Sequence, residues 1–451
     1  MAVSGSRKVS EVIKMAGRKE LRIRVVKWRP GAESATVTAF LKREAFHPRA
    51  EEIARDVLER IRNEGNRAVV HFAREFDGVA LQPRQFRVSR AEIDRAARAV
   101  DPAFRRAVRE ARKRIVAFAR KGMRKDWRMA TPRGGRLGEQ FVPYDRVGAY
   151  VPGGSAPLVS TALMTVSIAR AAGVPEIAAC TPCGPDRRVN PFVLHALDSA
   201  GATEIYRLGG IQAIGLMAYG TSTVAKVQKI VGPGGTYVTA AKRQVYGHVA
   251  LDLVAGPSEI AVLADEHADP RRAAADLLSQ AEHGTGWEKT LLVTPSAALA
   301  RAVRRELVRQ VGDLSRRAAA SEVLRKGTLL VIVPSLDDGV ELCNRFAPEH
   351  LEIMTRNPRR WTARVRCAGA IFVGEWTPES AGDFVAGPSH VLPTGGAAAM
   401  FSGLTVDDFR RRSSVIEFTR GDLLDALPVI ETFGAVEGLD AHARSARLRF
   451  E

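Results

Sequence analysis

Gln280 and His283 stand three residues apart in the segment Ser279-Gln280-Ala281-Glu282-His283-Gly284. Asp269 upstream is suited to cap a helix, Pro270 to begin one, and Gly284 to stop it. That predicts a helix over 270–283. Three residues turn a helix by about 300°, so the two side chains share a face. An amide oxygen and an imidazole on one face suit a shared metal ion. The same pair taken alone also reads as the polar last turn of a helix facing solvent. The other histidines bear on the choice. Of nine in the chain, His283, His350, His390 and His442 all fall in short polar segments rich in Glu, Asp or Gly.

These segments are Pro348-Glu349-His350-Leu351-Glu352, Glu379-Ser380-Ala381-Gly382-Asp383-Phe384, Ser389-His390-Val391-Leu392-Pro393-Thr394 and Glu437-Gly438-Leu439-Asp440-Ala441-His442. With Gly232-Pro233-Gly234 and Ala255-Gly256-Pro257-Ser258-Glu259, they follow one another in an order that closely resembles the histidinol dehydrogenases. Those are zinc- and NAD-dependent enzymes that finish histidine biosynthesis, and the likeness runs from about residue 22 to about residue 450.

The resemblance implies oxidation of L-histidinol to L-histidine through histidinal, with two NAD consumed. It implies zinc held by Gln280, His283, Asp383 and His442. One amide oxygen, two imidazoles and a carboxylate, with no thiolate, form a borderline-to-hard donor set. Such a set suits Zn(II), is compatible with Mn(II) or Co(II), and leaves positions open for substrate. Ser258, His350, His390 and Glu437 are implied to surround the substrate along with those four ligands. His350 is assigned the proton transfers, for which an imidazole suits neutral pH. Glu349 is assigned activation of water for the aldehyde step. Beside Pro348, the pair is expected in a loop or first helical turn, since adjacent residues of a regular helix diverge by about 100°. His442 and Glu437 are implied to reach a neighbouring subunit's site through an exchanged C-terminal segment, giving a homodimer with shared active sites.

For NAD, the resemblance points to Tyr150, Gln212 and Gly235. No GxGxxG fingerprint follows any strand. Glycine-rich turns at Pro152-Gly153-Gly154-Ser155, Gly209-Gly210 and Gly232-Pro233-Gly234-Gly235 nevertheless suit phosphate beside a helix start. Two positions depart from the family: Gly235 and Ser389 each stand where asparagine is usual. The reading weighed against this one is a paralogous zinc- and NAD-dependent alcohol dehydrogenase acting on another polar alcohol, such as a sulfonated diol. The histidinol form of the blocks around His350 and Asp383 argues against it.

At 451 residues the chain has room for two or three domains. No apolar run approaches the roughly 20 residues of a membrane span, and the start lacks a secretory h-region, so a cytoplasmic protein is expected. Four cysteines do not make a disulfide framework. Cys180-Thr181-Pro182-Cys183 reads as the end of a buried strand, with no second pair to complete a thiolate site. The formal charge of +18 raises the question of nucleic acid. Its densest part, Arg105 to Lys125, carries Phe104, Val108, Ala111, Ile115 and Phe118 at helical spacing, which describes a buried stripe with a solvated basic face. No nucleic-acid signature accompanies it, so no specific nucleic-acid partner is expected.

Helices are predicted over much of 36–125, then short apolar runs alternate with helices. Two Rossmann-like parallel-sheet units follow from that alternation, with helical segments at either end. The expected organisation is a basic extension at 1–35, a mainly helical region at 36–140, α/β units at 141–255 and 256–400, and a helical C-terminal region at 401–451.

Overall fold

The protein is described by a computed structural model covering residues 21–32, 34–43, 47–153, 156–253 and 256–451. Residues 1–20 of the extension, Gly154-Ser155 and Ala255 lie outside the described residues.

The strands, in chain order, are β1 (Arg24–Lys27), β2 (Trp127–Ala130), β3 (Arg136–Pro143), β4 (Arg146–Tyr150), β5 (Glu176–Cys180), β6 (Glu204–Tyr206), β7 (Lys229–Val231), β8 (Ala250–Leu251), β9 (Glu259–Ala264), β10 (Lys289–Thr294), β11 (Thr328–Ile332), β12 (His350–Met354), β13 (Ala370–Val373) and β14 (Arg410–Glu417). They form a parallel sheet β6-β5-β4-β7-β8, a parallel sheet β1-β11-β10-β9-β12-β13, and an antiparallel sheet β14-β3-β2.

In the first parallel sheet, alternation sends Val147, Ala149, Ile177 and Ala179 to one face, against the helices Pro102–Gly122, Val159–Ala171 and Pro191–Ala200. Tyr150, Ala178, Cys180 and Ile230 go to the other, against Pro48–Glu64, Gly210–Tyr219 and Thr236–Val245. The second sheet repeats the plan. Ile260, Val262, Leu292 and Leu330 meet the helix Pro270–Ala281, while Ala261, Leu263, Leu351 and Ile353 meet Leu336–Phe346. Strands buried on both faces read as continuous apolar runs, which is why these units were legible from sequence.

Several expectations change in detail. The extension is not wholly outside the fold: β1 adds to the edge of the second sheet, Arg24 beside Leu329, and the chain continues into the helix Ala35–Leu41. We refer to residues 21–43 as the strap. The C-terminal region is not helical throughout, because β14 pairs along the whole of β3. Its last part is two helices, Arg420–Glu437 and Asp440–Arg447, separated by Gly438 in the left-handed conformation. Phe118 is exposed, and Ala119 takes the buried position in its place. The predicted helix over 270–283 starts as expected, with Asp269 accepting from Arg271 N–H, but ends at Ala281. Of the Glu349-His350 pair, Glu349 lies in the bend expected beside Pro348, but His350 is not in a loop or helical turn: it opens β12.

Candidate functional site

The parallel pairing of β9 with β12 sets His350 beside Ile260. One residue back from Ile260, Glu259 supplies both anchors of the Glu349-His350 pair. Its N–H donates to Glu349 Oε2 at 3.0 Å, and its carbonyl oxygen lies 3.1 Å from His350 Nδ1. A carbonyl only accepts, so Nδ1 carries the proton and Nε2 is left with a lone pair. His350 is 2% exposed, and Nε2 has no hydrogen-bond partner. Burial drives the pKa of His350 down to about 3, with the Glu259 carbonyl opposing, so the ring is neutral. Burial raises Glu349 well above the usual carboxylate range, and the Glu259 N–H opposes that shift by favouring the ionised form.

His350 Nε2 faces two carboxyls, at 3.8 Å from Asp383 Oδ1 and 4.0 Å from Glu379 Oε1. Both come from the helix Glu379–Phe384, whose i and i+4 positions share a face. Glu379 is buried and accepts from Gln280 Nε2 at 2.8 Å and from Ser279 Oγ at 2.7 Å. Burial, then the neighbouring Asp383, pushes its pKa up to about 8.

That hydrogen bond orients the Gln280 amide. With Nε2 committed to Glu379, Oε1 is turned away from it, fully buried and without a partner. His283 follows the helix in a turn and is more exposed, its Nδ1 lying 3.2 Å from Ser258 Oγ. The turn is fixed by Glu288, which accepts from the N–H groups of Thr285 and Gly286. When Nδ1–H donates to Ser258, Nε2 of His283 is free to bind a metal. His390 completes the group, with Nδ1 3.7 Å from Asp383 Oδ1 and Nε2 3.2 Å from Thr161 Oγ1. Thr161 belongs to the first turns of the helix after β4, so the site lies where the carboxyl edge of the first sheet meets the amino edge of the second.

The structure thus gathers Ser258, Gln280, His283, Glu349, His350, Asp383 and His390. An orphaned buried amide oxygen beside an imidazole and a carboxylate fits a divalent cation in donor type. It does not bring His442 or Glu437 to the group. Both are exposed on the C-terminal helices, and among the described residues neither is bonded to those side chains.

The residues expected to meet NAD, Tyr150, Gln212 and Gly235, stand at the carboxyl edge of the first sheet. β4 lies between β5 and β7, so the order of strands reverses beside it, the usual place for a dinucleotide crevice. Tyr150 ends β4, and its hydroxyl accepts from Gly210 N–H at 3.1 Å. Gln212 donates to Asp77 Oδ2 at 2.8 Å, and its Oε1 is buried without a partner. Gly232 approaches so closely that a β-carbon there would lie 2.2 Å from the Tyr150 carbonyl oxygen. Gly235 is different: its φ of −67° suits any residue, and a β-carbon would meet nothing within 4 Å. Ser389, the other departure, is buried and accepts from Val391 N–H.

Sequence reasoning assigned no role to Glu379, although it quoted the segment. Its i, i+4 spacing to Asp383 was the available signal. A second acidic group, Asp265 to His267, carries no site, because Asp265 accepts from the backbone N–H groups of His267 and Arg356 as a turn former. Cys180 and Cys183 are both free, and burial holds the Cys180 thiol up at about 12, as a structural residue requires.

A family model described as histidinol dehydrogenase matches residues 41–450. The histidinol dehydrogenase of Heliobacterium mobile is 46% identical over 395 residues, spanning 88% of this chain and 92% of that protein. The Moorella thermoacetica enzyme of the same name is 47% identical over 397 residues, spanning 88% and 93%. The crystal structure of histidinol dehydrogenase from Elizabethkingia anophelis matches with a TM-score of 0.89 at 33% identity, covering 95% of this chain and 98% of that one.

The orientation of Gln280 depends on Glu379. Replacing Glu379 with Ala is expected to weaken metal retention by roughly 10- to 100-fold, the usual penalty for losing a group that orients a ligand. Competition with a chromogenic chelator measures it, and unchanged affinity would dismiss the role of Glu379.

Proposed function

The chain belongs to the histidinol dehydrogenase family, and on that premise we propose that it oxidises L-histidinol to L-histidine in two NAD-dependent steps at the side chains around His350. The observation that carries this reading is the unpaired Nε2 of His350, a neutral imidazole lone pair held in a buried pocket by its Nδ1–H bond to Glu259. That is the state a general base needs before it takes a hydroxyl proton.

Gln280, His283 and Asp383 would hold zinc, with His442 from a second subunit as the remaining ligand. Bound there, zinc supplies a Lewis-acidic anchor for the substrate, and NAD supplies the hydride acceptor. His350 takes the hydroxyl proton as hydride leaves carbon. Glu349, anchored by the Glu259 N–H, would then activate the water that adds to the aldehyde. Ser258, His390 and Glu437 position the substrate. Retaining histidinal between steps keeps a reactive aldehyde from solvent.

A homodimer would supply His442 and Glu437 in trans. Leu424, Val429, Phe433 and Val436 of the helix Arg420–Glu437 are exposed, as are Trp376, Phe384, Met400 and Phe401 in the segments around the site. Apolar surface on both is what an exchanged arm and its receiving face require. No helix among the described residues is long and apolar enough to cross a membrane, and we place the reaction in the cytoplasm.

Turnover of L-histidinol should yield two NADH per substrate, stop on chelation and resume with zinc. His350→Ala should impair both oxidations, whereas Glu349→Ala should chiefly impair oxidation of the aldehyde; equal residual rates in both steps would reject the assignment. Gly235→Asn restores an amide where the space is open, so KM for NAD should fall by about 3- to 10-fold, the worth of one hydrogen bond, with KM for histidinol unchanged. Co-refolding inactive His442→Ala with inactive His350→Ala should recover activity, because one site of each mixed dimer is intact. No recovery, with mixed dimers present, would mean that the sites are not shared.

A further inference from the structure

We propose that Arg43 is a positioning residue for the catalytic pair, a bridge by which the strap sets where Glu349 and His350 stand. This rests on the reading of those two residues given above. Arg43 lies two residues beyond the helix Ala35–Leu41, and 11% of its side chain is exposed. Its guanidinium makes contacts of three kinds. Nε is ion-paired with the Glu259 carboxylate. Nη2 donates to the Phe346 carbonyl oxygen at 2.6 Å. The guanidinium also stacks over the Phe346 ring, 4.2 Å from its centre.

Glu259 and Phe346 belong to the two segments from which the pair is suspended. Glu259 holds Glu349 through its N–H and His350 through its carbonyl. Phe346 ends the helix Leu336–Phe346, and Ala347 follows with a φ of +45° before Pro348 and Glu349. A residue with a β-carbon adopts that conformation only when its surroundings impose it. Arg43 imposes it from one side by gripping the carbonyl immediately before Ala347. The same guanidinium therefore fixes the spacing between β9 and the approach to β12 at the point where both catalytic groups hang.

A plainer role would be to neutralise the buried Glu259 carboxylate. Burial raises the pKa of Glu259, and the Arg43 charge opposes that shift. The two roles differ in what they move. The strap has its own anchors: Lys289 donates to the carbonyl of Lys42 at 2.7 Å and to that of Phe40, and the Phe40 ring stacks on Phe346. Losing the guanidinium therefore leaves the strap attached and the effect readable in a folded enzyme.

The test uses the full-length metal-loaded enzyme with Arg43→Met, Arg43→Lys, Glu259→Gln and the Arg43→Met/Glu259→Gln double variant. Steady-state constants and melting temperature are measured for each. Arg43→Met should lower kcat by on the order of 10- to 100-fold while KM for NAD stays within about twofold, since a misplaced base is felt in the chemical step. Arg43→Lys should recover part of the loss, and the double variant should be no slower than the slower single. A lowered melting temperature with kcat per folded site unchanged would overturn the proposal, as would losses that multiply in the double variant. Unchanged kcat in Arg43→Met beside a crippled His350→Ala would remove the role of Arg43 alone; undiminished turnover in His350→Ala would remove the catalytic assignment itself.

Discussion

The site depends on a single strand pairing. β9 and β12 lie side by side with Ile260 opposite His350, and that register delivers the peptide of Glu259 to the side chains of both Glu349 and His350. A slip of one residue would turn His350 and Glu352 away from the helix Pro270–Ala281 and put Leu351 in their place. β12 is buried at every position, so such a slip would carry the Glu352 carboxyl into the apolar layer against Leu336–Phe346. The chemistry is therefore held by the same forces that hold the core.

Around that pairing, polar groups are arranged so that each leaves one valence open. Gln280 spends its amide N–H on Glu379 and keeps its oxygen. His350 spends Nδ1–H on Glu259 and keeps Nε2. Gln212 spends its amide N–H on Asp77 and likewise keeps its oxygen. Buried acceptors without partners are rare in folded proteins, because each forfeits hydration without compensation. Gln280 and His350 hold two such acceptors in the group around Asp383, and Gln212 a third beside Tyr150 and Gly210.

Much of this was legible in the sequence, and the exceptions share a cause. Helix starts, buried strands and the two α/β units follow from local patterns such as Asp269-Pro270 and Glu259–Ala264. The segments around Gln280, His350 and Asp383 were recognisable because the residue types that chemistry requires are few. What was not legible depends on partners remote in the chain. β1 is a strand because β11 offers it an open edge, and β14 because β3 does. The strand conformation at His350 is decided by β9, some ninety residues upstream, whereas Pro348 taken locally suggests a turn. Glu379 was overlooked for a similar reason: its importance lies in contact with Gln280, 99 positions away.

The opposed edges of the two sheets have an electrostatic consequence. On the first unit's side of the cleft, the helices Val159–Ala171, Gly210–Tyr219 and Thr236–Val245 present their beginnings; on the second unit's side, Pro270–Ala281 and Leu336–Phe346 present their ends. Aligned peptide dipoles make the former wall positive and the latter negative. The backbone alone thus polarises the cleft, favouring negative charge at one wall and positive charge at the other. The sign of each wall is settled by chain topology before any side chain is placed.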